Sequence, residues 1–460
     1  MRTIVEPEEK ITKLWGKQQI KDTDTYRLMR YVMRVDHEGN VLLYNVITSQ
    51  LAVLDGEEVD IINNLPARYI PGMEQLAENH FLVTESFDEH QQVVKLRCIF
   101  RRLEEAQVSK DITKYTILPT TACNARCYYC FEQGVKTTTM SKKTADEVVE
   151  FIASHCGEKK FVRITWFGGE PTVASDRIDQ ITEGLRIRGI KFLSQMTTNG
   201  YLFDEELVQK AKEKWNLEYL QICFDGLEER HNATKSFVNV HDNPYQRILR
   251  NIGLLLDSGI RVGMRMNFDK ANYQDFSGIV KEAKLRFGDN PNLSVYAFPV
   301  IGEYADKEGH VLHGSEEWFI DKIVELNNIS RKAGLYHSVK QLPHFRYHCC
   351  DAENDSTVTI TPDGSLVRCC ERFDDSETTG TVTEGITDVN RIEVWKKSAD
   401  HKKCRDCTFF PDCYRIEKCP AKDRCLFLPE SYRKYRDTII SLFSSGKNLS
   451  NKKEDDCNVF

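Results

Sequence analysis

Thr121-Ala-Cys-Asn-Ala-Arg-Cys-Tyr-Tyr-Cys-Phe-Glu132 decides how this chain is read. It sets Cys123, Cys127 and Cys130 in a C-x3-C-x2-C run directly after the apolar, β-prone segment Tyr115–Leu118. Pro119 and two threonines follow that segment, so the cysteines belong to a loop leaving a strand. Three thiolates from one short loop suit three corners of a cubane iron–sulfur cluster and leave its fourth iron open to a small ligand. Structural zinc is the plain alternative, and it wants a fourth Cys or His close by. None follows from Phe131 to Met140.

Outward from that loop, strands and helices alternate. The strand candidates are Tyr115–Leu118, Val162–Phe167, Phe192–Thr197, Leu217–Phe224, Arg261–Phe268 and Leu293–Val300. Ser141 is placed to cap a helix whose Ala145, Val148, Val149 and Ile152 share one face, and Tyr245, Ile248, Leu249, Ile252 and Leu256 repeat that spacing. Six β/α units argue for a parallel sheet covered by helices and curled into a partial barrel. Function then belongs on loops at the C-terminal strand ends. Trp166-Phe-Gly-Gly-Glu-Pro171 closes the second strand, Thr197-Thr-Asn-Gly200 the third, Gln221-Ile-Cys-Phe-Asp-Gly226 the fourth and Arg265-Met-Asn-Phe-Asp269 the fifth. Each has a bland reading as a turn or a solvated strand end.

C-x3-C-x-aromatic-C, with Tyr129 as the aromatic, resembles the signature of the radical S-adenosylmethionine (SAM) enzymes. The resemblance implies a [4Fe-4S] cluster on Cys123, Cys127 and Cys130 whose open iron is chelated by SAM, with reductive cleavage giving a 5′-deoxyadenosyl radical. It places Tyr129 against the adenine, and Gly168, Gly169 and Glu170 at the SAM ammonium. Thr198 and Asn199 would face the cofactor, and Arg265 and Asn267 would reach the SAM carboxylate and ribose. Relatives carry a serine where this chain has Cys223, a weaker hydrogen-bonding partner, so Asp225 is the safer contact there.

A second cysteine zone spans Cys349–Cys425. Cys350, thirteen residues, Gly364, four residues and Cys369 resemble the first half of the extension called SPASM. Cys404, Cys407 and Cys413 resemble the second half, with Cys419 and Cys425 after it. Relatives have three residues before the next cysteine; here Tyr414–Lys418 makes five. The resemblance implies one auxiliary [4Fe-4S] cluster on Cys404, Cys407, Cys413 and Cys425, and another on Cys350, Cys369 and Cys419. The adjacent pairs leave the register open by one, so Cys349 and Cys370 are further candidates for the second, as are a residue elsewhere in the chain and a site left open until substrate binds. Zinc remains the alternative for C-x2-C pairs.

Ahead of the barrel, residues 1–25 read as a frayed lead-in. Tyr26–Val35 and Val41–Val46 form a hairpin around Asp36–Asn40, Ser49–Leu54 adds a strand, and Glu57–Asn64, Gly72–His80 and Asp88–Gln107 are helices. This resembles the winged-helix recognition element of enzymes that modify ribosomally made peptides, where a leader peptide adds a strand to the sheet edge. An accessory domain that only packs on the barrel is the bland reading. The expected organisation is a recognition-like module over 1–110, the barrel over 111–305, a helical bridge over 306–348, the SPASM zone over 349–428, and a terminal helix with a polar tail over 429–460.

Composition narrows the function. A net charge of −7 gives no basic field for nucleic acid, and no apolar run is long enough for a signal peptide or a membrane span. Sixteen cysteines without an export signal read as a cytoplasmic metalloprotein. The layout implies a peptide maturase. It would bind a precursor peptide through its leader, take electrons from a flavodoxin- or ferredoxin-type reductant, and install a crosslink, a Cys thioether first among the options. The alternative is modification without crosslinking, of a protein side chain or a small molecule, as in formylglycine-forming anaerobic sulfatase maturation.

Overall fold

The computed structural model describes residues 1–16, 20–107, 111–300, 316–336, 342–348, 350–398, 404–413, 415–419 and 429–445. Its first hundred residues carry β1 (Arg2–Val5), α1 (Glu9–Trp15), β2 (Thr25–Leu28), β3 (Val32–His37), β4 (Asn40–Asn45), β5 (Leu51–Val53), α2 (Gly56–Asn63), β6 (Ala67–Arg68), α3 (Met73–Glu78), β7 (Leu82–Thr84) and α4 (Glu89–Gln107). The expected frayed lead-in is corrected. β1 pairs antiparallel with β5, and α1 buries Ile11 and Trp15 in the module's core, where Trp15 meets the edge of Phe87. The run Tyr26–Val35 is also two strands rather than one. β2 joins β6 and β7 in a three-stranded sheet, whereas β3 joins the sheet ordered β1-β5-β4-β3. The corner between them is held by the buried Glu89 carboxylate, which accepts from the Arg30 backbone N–H at 2.6 Å and pairs with Arg27 at 2.9 Å.

The barrel follows: β8 (Lys114–Ile117), α5 (Lys142–His155), β9 (Phe161–Trp166), α6 (Ser175–Ile187), β10 (Lys191–Thr198), α7 (Glu205–Glu213), β11 (Leu217–Phe224), α8 (Glu228–Lys235), α9 (Pro244–Asp257), β12 (Arg261–Phe268), α10 (Phe276–Phe287), β13 (Leu293–Pro299) and α11 (Glu316–Lys332). β8 to β13 lie side by side in chain order, all parallel, as six β/α units require. Ser141 Oγ accepts from the Thr144 N–H at 3.0 Å and starts α5, as its position in the sequence requires. Of the expected bridge Val311–Leu342, residues 311–315 and 337–341, Ser315 among them, lie outside the described residues.

Strand alternation divides the barrel into two chemistries. On β11 and β12, Leu220, Ile222, Phe224, Val262, Met264 and Met266 are buried in the large core shared with the helices. The intervening positions are Tyr219, Gln221, Cys223, Gly263, Arg265 and Asn267. These bond across strands: the Tyr296 hydroxyl donates to Gln221 Oε1 at 2.7 Å, and Gln195 Nε2 donates to Thr165 Oγ1 at 3.0 Å. A polar layer thus lines the interior beneath the strand ends.

The C-terminal zone contributes β14 (Thr357–Ile360), β15 (Ser365–Val367), β16 (Gly380–Thr381), β17 (Gly385–Ile386), α12 (Val389–Trp395) and α13 (Pro429–Ser445). β14 pairs in parallel with β8, from Thr357 opposite Lys114 to Ile360 opposite Ile117. The barrel sheet therefore runs on through β15, β16 and β17 to ten strands.

Candidate functional site

The loop after β8 carries Cys123, Cys127 and Cys130, all half-buried. Its backbone is clamped to the end of β9. Gly169 N–H donates to Thr120 O at 3.1 Å and Glu170 N–H to Ala122 O at 2.9 Å. The close approach demands glycine, because a Cβ on Gly169 would lie 2.5 Å from Ala122 O and 2.6 Å from Thr121 O. Gly168, at φ +114°, is equally confined by Thr120 O.

Glu170 is fully buried and its carboxylate is committed inward. Oε1 accepts from the Thr172 hydroxyl at 2.5 Å and the Thr198 hydroxyl at 2.8 Å, and Oε2 from the Asn199 N–H at 2.8 Å. The ends of β9 and β10 are thereby tied together, and Asn199 Nδ2 carries the tie to Asn124 Oδ1 in the cysteine loop at 2.7 Å.

From the other side, Tyr129 reaches the ends of β11 and β12. Its hydroxyl donates to Asp225 Oδ1 at 2.5 Å and accepts from Asn267 Nδ2 at 2.9 Å. Next to it the Tyr128 hydroxyl donates to Asp269 Oδ2 at 2.5 Å. Arg265 stacks its guanidinium over Phe298 at 4.1 Å, and Cys223 lies beside it in register on the neighbouring strand. Tyr129, Gly168, Gly169, Glu170, Thr198, Asn199, Asp225 and Asn267 therefore gather around the loop. Two residues that no sequence motif marked join them. Lys235 is buried and ion-paired with Asp225 at 3.1 Å, and the buried His231 ring accepts from the Asp225 N–H at 3.3 Å. A lysine and a histidine in a charged helix such as Glu228–Lys235 read as surface, so the sequence offered no signal for either.

Burial pushes the thiol of Cys123 up to about 12 and that of Cys127 up to about 11, and raises Cys130 as well. Such thiols are poor free nucleophiles, and a bound cation is what converts them to thiolates. Around them, among the described residues, buried polar atoms lack hydrogen-bond partners: Asn124 Nδ2, both Glu132 carboxylate oxygens, Arg265 Nε and Asn267 Oδ1. Unmatched buried groups are costly and call for a ligand. Carboxylate oxygens suit an ammonium, a guanidinium suits a carboxylate, and amides suit hydroxyls and a purine. The donor set thus fits an iron–sulfur cluster with SAM beside it.

The family profile described as the radical SAM superfamily matches residues 117–283. This chain carries a radical SAM domain. Such a domain works with SAM and a [4Fe-4S] cluster. Among curated proteins, the chain is 27% identical over 177 residues to Fe-coproporphyrin III synthase of Methanosarcina barkeri, a match covering 38% of this chain and 41% of that protein. It is 23% identical over 310 residues to GTP 3′,8-cyclase of Clostridium perfringens, covering 64% of this chain and 91% of the cyclase. Among solved structures, native anSMEcpe with bound AdoMet and Cp18Cys peptide superposes with a TM-score of 0.54 at 15% identity, over 73% of this chain and 99% of that one. That likeness is one of fold, and it reaches beyond the matched domain.

The second cysteine zone forms two groups. Cys350, Cys369 and Cys419 pack together on Ala352, Trp395 and Ile416. Burial pushes Cys350 up to about 12 and Cys369 up to about 11. Cys370 is held well above the usual thiol range, first by burial and then by Cys369, and burial likewise raises Glu371 next to it, against the opposing charge of Arg265. Cys404 and Cys407 pack instead against the core of the N-terminal module, with Cys413 in the same turn-rich segment. Cys349 and Cys425 lie outside the described residues.

Proposed function

We propose that this radical SAM enzyme is a peptide maturase, binding a ribosomally made precursor peptide and installing a crosslink, a Cys thioether first. The observation that carries the reading is the gathering of Cys350, Cys369 and Cys419 on one small apolar cluster, in the zone whose strand β14 extends the barrel sheet from β8. A second set of cysteines on the barrel's own sheet supports the reading, because an oxidative closure needs an electron acceptor close to the substrate. The N-terminal module offers a sheet edge to a leader, and native anSMEcpe, a solved structure of comparable fold, has AdoMet and a peptide bound.

In this reading Cys123, Cys127 and Cys130 hold the SAM cluster. Cys404, Cys407, Cys413 and Cys425 hold one auxiliary cluster, and Cys350, Cys369 and Cys419 the other, with Cys349 or Cys370 as candidate fourth ligand. Held there, the cluster and SAM would supply hydrogen-abstraction chemistry, given one electron from the flavodoxin- or ferredoxin-type reductant. The chain's own residues bind, orient and exclude water. Arg265 offers two-pronged contact to the SAM carboxylate, Asn267 and Asp225 reach the ribose side, and Tyr129 borders the adenine. Gly168 and Gly169 bring backbone close, while Glu170 acts by fixing Thr198 and Asn199 rather than through a free carboxylate. The organisation into a module over 1–110, a barrel over 111–305, a bridge, a cysteine zone over 349–428 and a terminal helix follows the same division of labour.

The test is anaerobic reconstitution with SAM, reductant and a short cysteine-containing candidate peptide, read by mass spectrometry. A peptide lighter by two hydrogens, formed together with 5′-deoxyadenosine, is the expected outcome; gain of oxygen or loss of carbon dioxide would overturn crosslinking. Sequence likeness to GTP 3′,8-cyclases favours a second reading, a small-molecule substrate in the same barrel. Incubation with GTP in place of peptide separates the two.

A further inference from the structure

Lys235 ends α8, and Ser236 after it takes a left-handed conformation at φ +47°. That turn aims both polar ends of the lysine at the cysteine loop. Its carbonyl accepts from the Arg126 N–H at 2.7 Å, and three residues on the Val238 N–H donates to Asn124 O at 2.9 Å. Its ammonium lies 3.1 Å from Asp225 Oδ2 and donates to the Tyr129 hydroxyl at 3.3 Å, with the Tyr129 ring centroid 5.8 Å away. The side chains of Lys235 and Asp225 are 5% and 0% exposed. A buried ion pair of this kind gives little net stability over an apolar replacement, so stability alone does not explain it.

The geometry points to Lys235 as a positioning residue for the SAM site: through Asp225 and the Tyr129 hydroxyl it sets where the Tyr129 ring and Cys127 stand, and with them the pocket that accepts SAM. Tyr129 is fixed from three elements at once, by Asp225 at the end of β11, Asn267 on β12 and Lys235 on α8. Lys235 is the member that also holds the loop backbone. The group acts as a clasp over residues 124–129, and its charge is maintained there. Burial opposes the ammonium, but Asp225 beside it keeps the lysine well above its usual range. A neutral side chain of similar length leaves Asp225 buried without a counter-charge and frees the Tyr129 ring to shift.

The inference rests on the SAM reading of the cysteine loop, and the experiment separates the two. Reconstituted full-length wild type, Lys235→Met, Lys235→Arg and Tyr129→Phe are reduced anaerobically and titrated with SAM, following the SAM-dependent change in the cluster's EPR signal alongside iron and sulfide content. Lys235→Met should keep wild-type iron but need at least tenfold more SAM for half the change, and Lys235→Arg should restore saturation. Equal saturation in wild type and Lys235→Met would overturn the inference alone. A wild type that loads iron but shows no SAM-dependent signal would overturn the SAM reading and this inference with it. Should Lys235→Met fail to retain iron, Tyr129→Phe decides, because it leaves the ion pair intact. Weakened SAM saturation at normal iron content supports the clasp, and unchanged saturation refutes it.

Discussion

His231 shows how much one buried side chain contributes to the site's pH limits. Its ring lies among Phe224, Phe237 and Tyr245, and burial lowers its pKa to about 3, so it is neutral in the fold and accepts from the Asp225 N–H. Unfolded, it titrates near 6.5. The depressed value means that the unfolded chain binds the extra proton. Stability is therefore whole above pH 6.5 and falls by about 1.4 kcal/mol per pH unit below it, until the folded value is reached. His80, also lowered by burial, acts in the same direction. His231→Gln keeps an acceptor for Asp225 and removes the titration. Urea unfolding at pH 7 and pH 5 should show wild type losing about 2 kcal/mol more than the variant over that interval. Little of this was legible in advance. Cysteine spacing announces itself, whereas the charged composition of Glu228–Lys235 hides that this helix packs His231 and Lys235 against the end of the strand before it.

At the scale of elements, the meeting of the β9 end with the cysteine loop is the tightest joint. Gly169→Ala would drive a methyl into the Ala122 and Thr121 carbonyls, which are backbone and cannot swing aside. The loop must lift away from the strand. Overpacking of this kind costs about 1–3 kcal/mol, visible in a thermal melt, and 5′-deoxyadenosine formation should fall at least tenfold. The six barrel strands were readable because apolar alternation, Gly and Pro punctuation and helix caps agree at each step. Leu217–Phe224 and Arg261–Phe268 match the expectation to the residue. The N-terminal module was harder. Nothing in Tyr26–Val35 marks the corner, because no Gly or Pro interrupts it and the buried carboxylate that turns the chain comes from Glu89, some sixty residues later. β1 was missed for a related reason, since a four-residue strand declares itself only through its partner.

Across the whole molecule, α4 joins the first module to the last cysteines. Arg97, buried on α4, donates to the carbonyls of Arg346 at 3.0 Å, Phe410 at 2.6 Å, Pro411 at 3.1 Å and Cys413 at 3.2 Å, while stacking over Phe410 at 4.6 Å. Arg97→Ala strands those acceptors in a buried seam and should cost about 3 kcal/mol, measured as a drop in the melting temperature of the full chain. No local pattern could have paired residues this far apart, and the same holds for β14 with β8. That last pairing bears on biosynthesis. β8 leaves the ribosome with one flank bare, and roughly 240 further residues must be translated before Ile360 can cover it, some tens of seconds at ordinary elongation rates. A nascent chain with an unprotected strand edge for that long is open to wrong partners, so slow growth temperatures or chaperone supply during expression should govern how much intact enzyme is recovered.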